Sequence, residues 1–483
     1  MATRTKRAVF GCLVTVLAAA APGLADNLLI TGGTIVNAEG SQRADIRVRG
    51  EQIVEVGALE PKDGERVLDA TGQLVLPGGV DPHVHLAPIR DIFTFADDFE
   101  SGSRAALAGG ITTVGEMAFP HEGELPIATL ERERVLIEAQ SIADVFVHTT
   151  VVEPSEAAIA GVEALVEAGQ PSIKVFMNFE TFESQEPGFL RLIERAGALG
   201  IRIAIHCEDI HIMAHVVNAL EAEGKTSATH YPASRPIFSE EVATQRAMAI
   251  AEMTGASLYV VHLSSARALN AVTAVRKRLP VFVETRPIYL HLTEERYRGP
   301  DAGLFVGQPP IRGAADQRAL WEGIAAGTVD TVATDHAPWT RAEKLDPANT
   351  IRHPRPGVNN LQVMLPMLFS EGVAGGKITR ERFVAVTSTN AAKLFGLYPR
   401  KGAIAPGSDA DLAVWDPRET RTIRDADALS RTGFSIYSGT EVTGWPVLTL
   451  RRGAIVYENG KVVADAGSGK LISRQPIGRS GAD

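Results

Sequence analysis

The sequence predicts an α/β protein whose main domain, residues 77–403, is a (β/α)8 TIM-like barrel, and two observations favour this fold. First, short apolar segments alternate with helical segments throughout this region. Eight of the apolar segments are strand candidates, which end near His85, Met117, Val151, Met177, His206, His262, Glu284 and Asp335. Eight strand–helix units in succession are typical of such a barrel. Second, no glycine-rich phosphate loop follows the first strand, which argues against the alternative of a doubly wound open sheet.

Two β-rich segments flank the barrel region. The first, residues 26–76, contains alternating runs such as Ile53-Val54-Glu55-Val56 that are bounded by glycines. The second, residues 404–466, contains a hairpin turn at Asn459-Gly460. Two segments that are distant in sequence can complete one small sheet domain. The remaining residues, 467–483, are rich in glycine, serine and arginine and predict a flexible arm.

The first 25 residues have the pattern of a secretory signal peptide. Three basic residues precede an apolar run from Ala8 to Ala21, and the small residues Gly23 and Ala25 place cleavage after Ala25. The run is shorter than the roughly 20 residues that a membrane-spanning helix needs. We therefore expect an exported protein, periplasmic or secreted, with no stable membrane span after cleavage. The alternatives are a retained N-terminal helix or a misassigned start.

Composition narrows the class of protein. With 45% hydrophobic and 22% charged residues, the 483-residue chain is globular and long enough for a large core, which excludes a disordered or fibrous protein. The formal charge of -10 argues against nucleic-acid binding. Removal of the signal peptide leaves Cys207 as the single cysteine, so the mature chain has no internal disulfide and depends on its core for stability.

The most informative motif is Asp81-Pro82-His83-Val84-His85 at the end of the first barrel strand. Side chains alternate along a strand, so those of Asp81, His83 and His85 point the same way. Two imidazoles so placed can bind one metal ion, with the aspartate orienting a ligand. A single His-x-His is more often an ordinary pair of polar residues, so the other strand ends decide between the two interpretations.

Two further histidines follow apolar strands directly. His206 directly follows the apolar run Ile201–Ile205, and His262 directly follows the run Leu258–Val261. Active-site groups of a barrel project from the carboxyl ends of its strands. Either histidine alone would be explained as a hydrogen-bonded core residue. Four histidines at such places favour a metal site.

Lys174 and Asp335 are the remaining candidate ligands. Lys174 lies inside the apolar strand Ser172–Met177, where burial would lower its pKa and free the amine. A neutral amine can take up carbon dioxide, and the resulting carbamate has two oxygens that can bridge two metals. Asp335 ends another strand and can both bind a metal and take a proton from bound water. The alternatives are a lysine that reaches solvent or a carboxylate, and an aspartate that caps the following segment.

Taken together, these residues resemble the amidohydrolase superfamily, and within it the hydantoinase/dihydropyrimidinase group of cyclic amidohydrolases. The resemblance covers nearly all of the chain after the signal peptide. The matching strings are GGVDPHVHL (78–86), DDFESG (97–102), AALAGG (105–110), KVFM (174–177), VHLSS (261–265), TDHAP (334–338) and YSGTEVTGWP (437–446).

The resemblance implies two divalent metal ions per subunit, for which we expect Zn2+. His83 and His85 would hold the more buried ion, and His206 and His262 the more exposed one. Lys174, modified to N6-carboxylysine, would bridge the two. The resemblance also implies a small β-sandwich built from both chain ends and a homo-oligomer, either a tetramer or a dimer.

The implied reaction is hydrolysis of a non-peptide C–N bond in a small cyclic amide or imide. A hydroxide that bridges the metals would attack the carbonyl. Asp335 would bind the first metal and act as the catalytic residue that accepts the proton and returns it to the leaving nitrogen.

Three positions are predicted substrate contacts, and two of them depart from the family pattern. Asn360 matches a substrate-contacting asparagine of the group. Phe179 occupies the position of a tyrosine that hydrogen-bonds the developing oxyanion, and Gln308 that of a serine. In addition, Arg286 stands where cysteine is common. These departures leave open whether the substrate is an ordinary hydantoin or dihydropyrimidine.

Related groups of proteins match the sequence less well than the hydantoinases do. Dihydroorotases resemble the chain at residues 206–209 and 333–338, but they usually carry an arginine at the position of Ala87. Allantoinases match fewer strings. The non-catalytic collapsin-response mediator proteins also resemble hydantoinases but have lost metal ligands, whereas here every ligand position is filled. The sequence therefore favours an enzyme.

Overall fold

The structure is a computed structural model that describes residues 27–89 and 93–477. The predicted signal peptide, residues 1–25, lies outside the described residues. The strands of the described part are β1 (Asn27–Thr31), β2 (Thr34–Asn37), β3 (Gly40–Arg43), β4 (Asp45–Arg49), β5 (Gln52–Gly57), β6 (Arg66–Asp69), β7 (Leu74–Pro77), β8 (Gly79–Val84), β9 (Ile111–Ala118), β10 (Asp144–Thr150), β11 (Ser172–Phe176), β12 (Arg202–His206), β13 (Leu258–Val260), β14 (Val281–Thr285), β15 (Thr331–Val332), β16 (Leu412–Thr422), β17 (Glu441–Arg451), β18 (Ala454–Glu458) and β19 (Lys461–Val462).

Strands β8 to β15 form the predicted barrel. All pair in parallel and in sequence order, from β8 at one end of the sheet to β15 at the other. The ring closes through a parallel bridge between Val84 and His336, where the N–H of His85 donates to the carbonyl of His336 at 2.9 Å. A doubly wound sheet would change strand order at its centre and keep two open edges. The (β/α)8 barrel is therefore confirmed.

The α-helices lie mostly between the barrel strands. They are α1 (Phe99–Ala108), α2 (Pro126–Gln140), α3 (Glu156–Glu167), α4 (Glu180–Ser184), α5 (Glu186–Ala198), α6 (Ile210–Ala222), α7 (Tyr231–Ser234), α8 (Ile237–Thr254), α9 (Ala266–Thr273), α10 (Pro287–His291), α11 (Ala314–Ala326), α12 (Arg341–Lys344), α13 (Met364–Leu368), α14 (Arg380–Val384) and α15 (Asn390–Leu394). Local signals set their ends. Helix α1 begins with a reciprocal capping box between Asp98 and Ser101, and α8 ends at Gly255 with a left-handed φ of 67°.

The two β-rich ends of the chain form one small sandwich beside the barrel. One sheet has the strand order β5-β4-β1-β6, and the other has the order β19-β18-β17-β16-β7-β2-β3. The second sheet joins the chain ends, because β7 pairs with β16. Successive side chains of its strands point to opposite faces of the sheet, and both faces are covered. Val75 and Val414 pack in the sandwich core, whereas Leu76 and Trp415 pack in the barrel core.

The segment that follows the sandwich is not the flexible arm that its composition predicts, at least as far as residue 477. Leu471 bridges to Val145 in β10, and Ile472 is buried. The buried guanidinium of Arg474 donates to the carbonyl of Val147 at 2.8 Å and to Oγ of Ser172 at 2.7 Å. The prediction is wrong here because these contacts cover the beginnings of barrel strands that would otherwise be open. Residues 478–483 lie outside the described residues.

Within the described ranges, no helix has both the length and the apolar character that crossing a membrane requires.

Candidate active site

A cavity of about 590 Å3 opens at the end of the barrel where the strands terminate. The structure brings all six predicted metal ligands to it, although they come from separate elements. Parallel strands of a barrel end at one rim, which explains why His85 and Asp335 meet although they are 250 positions apart. The predicted ligands that line the cavity are His83, His85, Lys174, His206, His262 and Asp335.

His83, His85 and Asp335 form the tightest group of potential ligands. Their ligand atoms all lie within 4.8 Å of one another. Oδ1 of Asp335 is 3.2 Å from Nε2 of His83 and 3.0 Å from Nε2 of His85. Two imidazoles and one carboxylate that converge in this way suit a divalent transition metal such as Zn2+.

His206 and His262 form a second pair next to the first. Their ring centroids are 4.5 Å apart, and the ring of His262 is 5.6 Å from that of His83. Burial lowers the pKa values of His83, His206 and His262 below the usual histidine value. These imidazoles are therefore neutral near pH 7, which is the form that binds metal.

Lys174 is fully buried in the same cavity. Its Nζ has no hydrogen-bond partner among the described residues and lies 4.7 Å from the centroid of the Phe176 ring. Burial lowers the pKa of its amine to about 8. Nδ1 of His85 and Nδ1 of His262 are likewise buried without a partner in the described part of the chain. Such unpaired donors and acceptors are costly unless a ligand satisfies them, so this set fits a metal centre.

Two carboxylates that the sequence analysis did not assign orient the histidines. Oε1 of Glu284 lies 2.7 Å from Nδ1 of His83 and accepts the backbone N–H of His262 at 2.8 Å. Oε2 of Glu208 lies 2.8 Å from Nε2 of His206. A carboxylate on one ring nitrogen fixes the tautomer and leaves the other nitrogen for a metal. The sequence offered one signal for each residue. Glu284 lies at a predicted strand end, and Glu208 lies two residues after the predicted ligand His206.

Asp81 holds the backbone beside two of the predicted ligands. Its carboxylate accepts the backbone N–H of His83 at 3.2 Å, the backbone N–H of Thr334 at 3.1 Å and the Thr334 hydroxyl at 2.5 Å. Burial raises its pKa to about 7. Asp81 therefore ties the end of β8 to the residue that precedes Asp335.

The three predicted substrate contacts have different positions. Phe179 and Gln308 line the cavity. Asn360 does not: its side-chain amide donates to the carbonyl of Thr334 at 3.0 Å, and it lines an adjacent cavity of about 410 Å3. The backbone N–H of Asn360 also lies 3.2 Å from Nδ1 of His336, so both groups of this residue bind the segment that follows β15.

Beyond the candidate ligands, the lining of the cavity is mostly apolar and includes six aromatic side chains. Phe176 lies between two other rings, with centroids 4.6 Å from Phe179 in a parallel stack and 5.4 Å from Phe119. A second group consists of Phe93, Phe95 and Trp339, with Trp339 5.0 Å from each phenylalanine. We call these six residues the aromatic lining. His85 is near both groups, 6.1 Å from Phe119 and 5.9 Å from Phe95, so the lining adjoins the histidine cluster.

The fold and the site together define a metal-dependent hydrolase built on a (β/α)8 barrel. Residues 74–456 match the Amidohydrolase family. The chain is 32% identical over 455 residues to a D-hydantoinase of Ralstonia pickettii, with 93% of this chain and 99% of the relative covered. It is 34% identical over 458 residues to a D-phenylhydantoinase of Escherichia coli (strain SE11), with 93% and 98% covered.

A solved structure agrees with these relatives. The crystal structure of dihydropyrimidinase from Brevibacillus agri NCHU1002 is similar, with a TM-score of 0.90, 32% identity, and coverage of 94% of this chain and 100% of that chain. The protein belongs to the amidohydrolase family, and within it to the hydantoinase/dihydropyrimidinase group. It is accordingly a hydrolase of carbon–nitrogen bonds other than peptide bonds, in cyclic amides.

Proposed function

We propose that the protein opens a cyclic amide or imide whose ring carries an aromatic substituent. The observation that carries this proposal is the aromatic lining directly beside the histidine cluster. Apart from Lys174, which is the proposed carboxylated bridge, no lysine or arginine lines the cavity among the described residues. The cavity therefore favours an apolar, flat substituent over a carboxylate-bearing ring. One similar protein is named a D-phenylhydantoinase, which agrees with such a substituent.

The proposal includes two divalent metal ions, with Zn2+ as the expected metal. His83, His85 and Asp335 would hold one, and His206 and His262 the other. Lys174, carboxylated on Nζ, would bridge them; its fully buried, unpaired amine supports this modification. When bound, such ions polarise a carbonyl and lower the pKa of water from 15.7 to about 7.

Asp335 carries the proton in the proposed reaction. Burial alone would raise its pKa, but the guanidinium of Arg286 and the hydrogen bond with His85 hold it well below the ordinary value. The carboxylate is thus ionised at neutral pH and can accept the proton of the attacking water. As the C–N bond breaks, the same proton passes to the leaving nitrogen, and the carbonyl carbon becomes a carboxylic acid that releases the second proton of the water to solvent.

The aspartate is tested by the variant Asp335→Asn. This isosteric change removes the proton acceptor but leaves an oxygen beside the histidines, so we expect turnover to fall at least about 1,000-fold while metal remains bound. Ring opening is followed by chromatography, and bound metal by elemental analysis. Asp301→Asn, which alters an exposed carboxylate, is the control. Wild-type activity in the Asp335 variant would contradict the assignment.

The substituent is tested with a matched pair of substrates, hydantoin and 5-phenylhydantoin. Burial of a phenyl ring stabilises by about 1.5–3 kcal/mol, so kcat/KM should be about 10- to 100-fold higher for the phenyl compound. Dihydrouracil, dihydroorotate and allantoin complete the set. Equal rates for the matched pair would contradict the aromatic substituent. If no cyclic amide is opened by metal-loaded protein, the proposed activity fails.

The proposal also covers location and assembly. The pattern of residues 1–25 supports export followed by cleavage after Ala25. N-terminal sequencing of protein from the periplasm or medium should begin at Asp26, and an uncleaved N-terminus would contradict cleavage. Light scattering after size exclusion should show a dimer or tetramer of the 51.5 kDa chain less its signal peptide.

A further inference from the structure

We infer that Arg286 is a positioning residue that holds Asp335 in the one orientation useful to the metal centre, an inference that rests on the proposed function. Arg286 follows β14, and its side chain is completely buried. Its guanidinium reaches across to the end of β15. Nε donates to the carbonyl of Thr334 at 3.3 Å, and Nη2 donates to the carbonyl of Asp335 at 3.2 Å. Nη1 lies 3.0 Å from Oδ2 of Asp335.

The backbone of Asp335 needs such support. Its φ is 46°, in the left-handed region that costs an ordinary residue about 1–2 kcal/mol. A strained residue keeps this conformation only where its surroundings hold it. The two bonds from Arg286 to consecutive carbonyls, those of Thr334 and Asp335, bracket the strained peptide.

Because of the guanidinium, the two carboxylate oxygens of Asp335 have different partners. Oδ2 faces Arg286, whereas Oδ1 faces Nε2 of His83 and Nε2 of His85. Rotation of the carboxylate would break the ion pair with a completely buried guanidinium, and an unpaired buried charge is costly. Asp335 therefore presents a single, fixed oxygen to the histidine cluster.

The surroundings of Arg286 leave it no other anionic partner. Within residues 27–89 and 93–477, its ion pair is with Asp335 alone. The ring of Tyr289 lies 5.6 Å from the guanidinium carbon. On the other side, Gly307 packs so closely that an added Cβ would lie 3.1 Å from Nη1. Arg286 does not line the substrate cavity, so its effect on the reaction passes through Asp335.

The test compares Arg286→Met and Arg286→Lys with the wild type. Loss of the contacts around a metal ligand typically costs 10- to 100-fold in metal affinity or activity. We therefore expect Arg286→Met to bind Zn2+ about 10- to 100-fold more weakly and, when fully loaded, to have a kcat reduced by a similar factor. KM should change less than about threefold, because Arg286 does not contact the cavity. Arg286→Lys keeps the charge but cannot make both carbonyl bonds, so it should be intermediate.

Affinity is measured on metal-free protein by competition with a chromogenic chelator, without substrate. Arg202→Met is the matched control, since Arg202 is a buried arginine of the same barrel that lies over Phe282 at 4.4 Å, away from Asp335. Its metal affinity and its kcat per folded molecule should equal those of the wild type.

Two results would overturn the inference. One is an Arg286→Met protein whose Zn2+ affinity and kcat are within twofold of the wild type. The other is an equal loss in Arg202→Met, which would mean that the effect is general destabilisation. Should Arg286→Met fail to fold, Arg286→Lys decides by the same criteria. If Zn2+ affinity depends on Arg286 while the wild type opens no cyclic amide, the proposed substrate class fails and the positioning role stands.

Discussion

Phe179 is the residue at which side-chain chemistry most directly limits the proposed reaction. Its ring stacks on Phe176 with centroids 4.6 Å apart and lines the cavity, but it has no hydrogen-bond donor. Negative charge develops on the carbonyl oxygen during attack, and loss of one donor there typically costs about 10²–10³ in turnover. The side chain of Phe179 can therefore pack against the proposed aromatic substituent but cannot donate a hydrogen bond to the oxyanion.

A donor can be restored at this position by Phe179→Tyr. We expect kcat for hydantoin to rise about tenfold, because the hydroxyl can donate to the developing oxyanion. Phe179→Leu, which removes the ring without adding a donor, is the control. It should leave kcat nearly unchanged while raising KM for 5-phenylhydantoin. The same kcat in the tyrosine and leucine variants would contradict the expectation.

Among the elements, β9 and α2 together support the loop that follows the His-x-His motif. Glu116 at the end of β9 accepts the backbone N–H of Leu86 at 2.9 Å and that of Ala87 at 3.2 Å. Glu133 of α2 lies in the same buried region, with Oε1 2.6 Å from Nη1 of Arg132. Burial raises the pKa of both carboxyls, and the pKa of Glu133 reaches about 7. When Glu133 is ionised, its charge raises the pKa of Glu116 further.

This raised pKa makes stability depend on pH. Folded Glu133 keeps a proton that the unfolded chain, with its ordinary pKa of 4.5, releases. The associated stabilisation is complete below about pH 4.5 and is lost as pH rises through about 7. Between pH 5 and pH 8, the free energy of unfolding of the wild type should therefore fall by about 1–3 kcal/mol relative to Glu133→Gln.

Urea unfolding of the metal-free protein at the two pH values measures this difference. Glu131→Gln, which alters an exposed residue of the same helix, is the control and should follow the wild type. If the free energy of unfolding changes equally with pH in Glu133→Gln and the wild type, Glu133 is ionised in the folded protein throughout this range.

In the whole molecule, a buried charge cluster joins the barrel to the sandwich. Nζ of Lys401 lies 2.7 Å from Oδ2 of Asp144, 2.6 Å from Oδ2 of Asp411 and 3.0 Å from Oδ2 of Asp409. Asp144 begins barrel strand β10, whereas Asp411 directly precedes β16 of the sandwich. One fully buried ammonium thus binds carboxylates from both domains, which couples their unfolding.

Removal of this ammonium by Lys401→Met should destabilise the protein by about 3–5 kcal/mol, because it removes the buried cation shared by three close carboxylates and leaves Arg452 as the remaining buried cation beside Asp144. Chemical unfolding monitored by circular dichroism measures the loss. Lys393→Met is the control, since Lys393 pairs with Glu39 at the exposed surface and should matter far less. Equal effects of the two variants would mean that the cluster does not couple the domains.

Local patterns in the sequence determined much of this protein: the eight barrel strands, the two β-rich ends and the six residues that line the cavity as candidate ligands. These features can be predicted from local sequence, because a strand is a short apolar run and the polar residues in it or directly after it can be identified in the sequence. Barrel topology then sends every strand end to one rim, so Lys174 and His262 meet without any further information.

Only the tertiary structure decided which side chains meet across that rim. Glu284 reaches His83 across 201 positions, Arg286 holds Asp335 across 49, and the amide of Asn360 donates to the carbonyl of Thr334 instead of lining the cavity. The packing of Arg474 beneath the barrel likewise has no counterpart in the composition of its segment. These contacts depend on strand register, barrel closure and the space left by neighbouring side chains, and such long-range geometry is not encoded in any local run of residues.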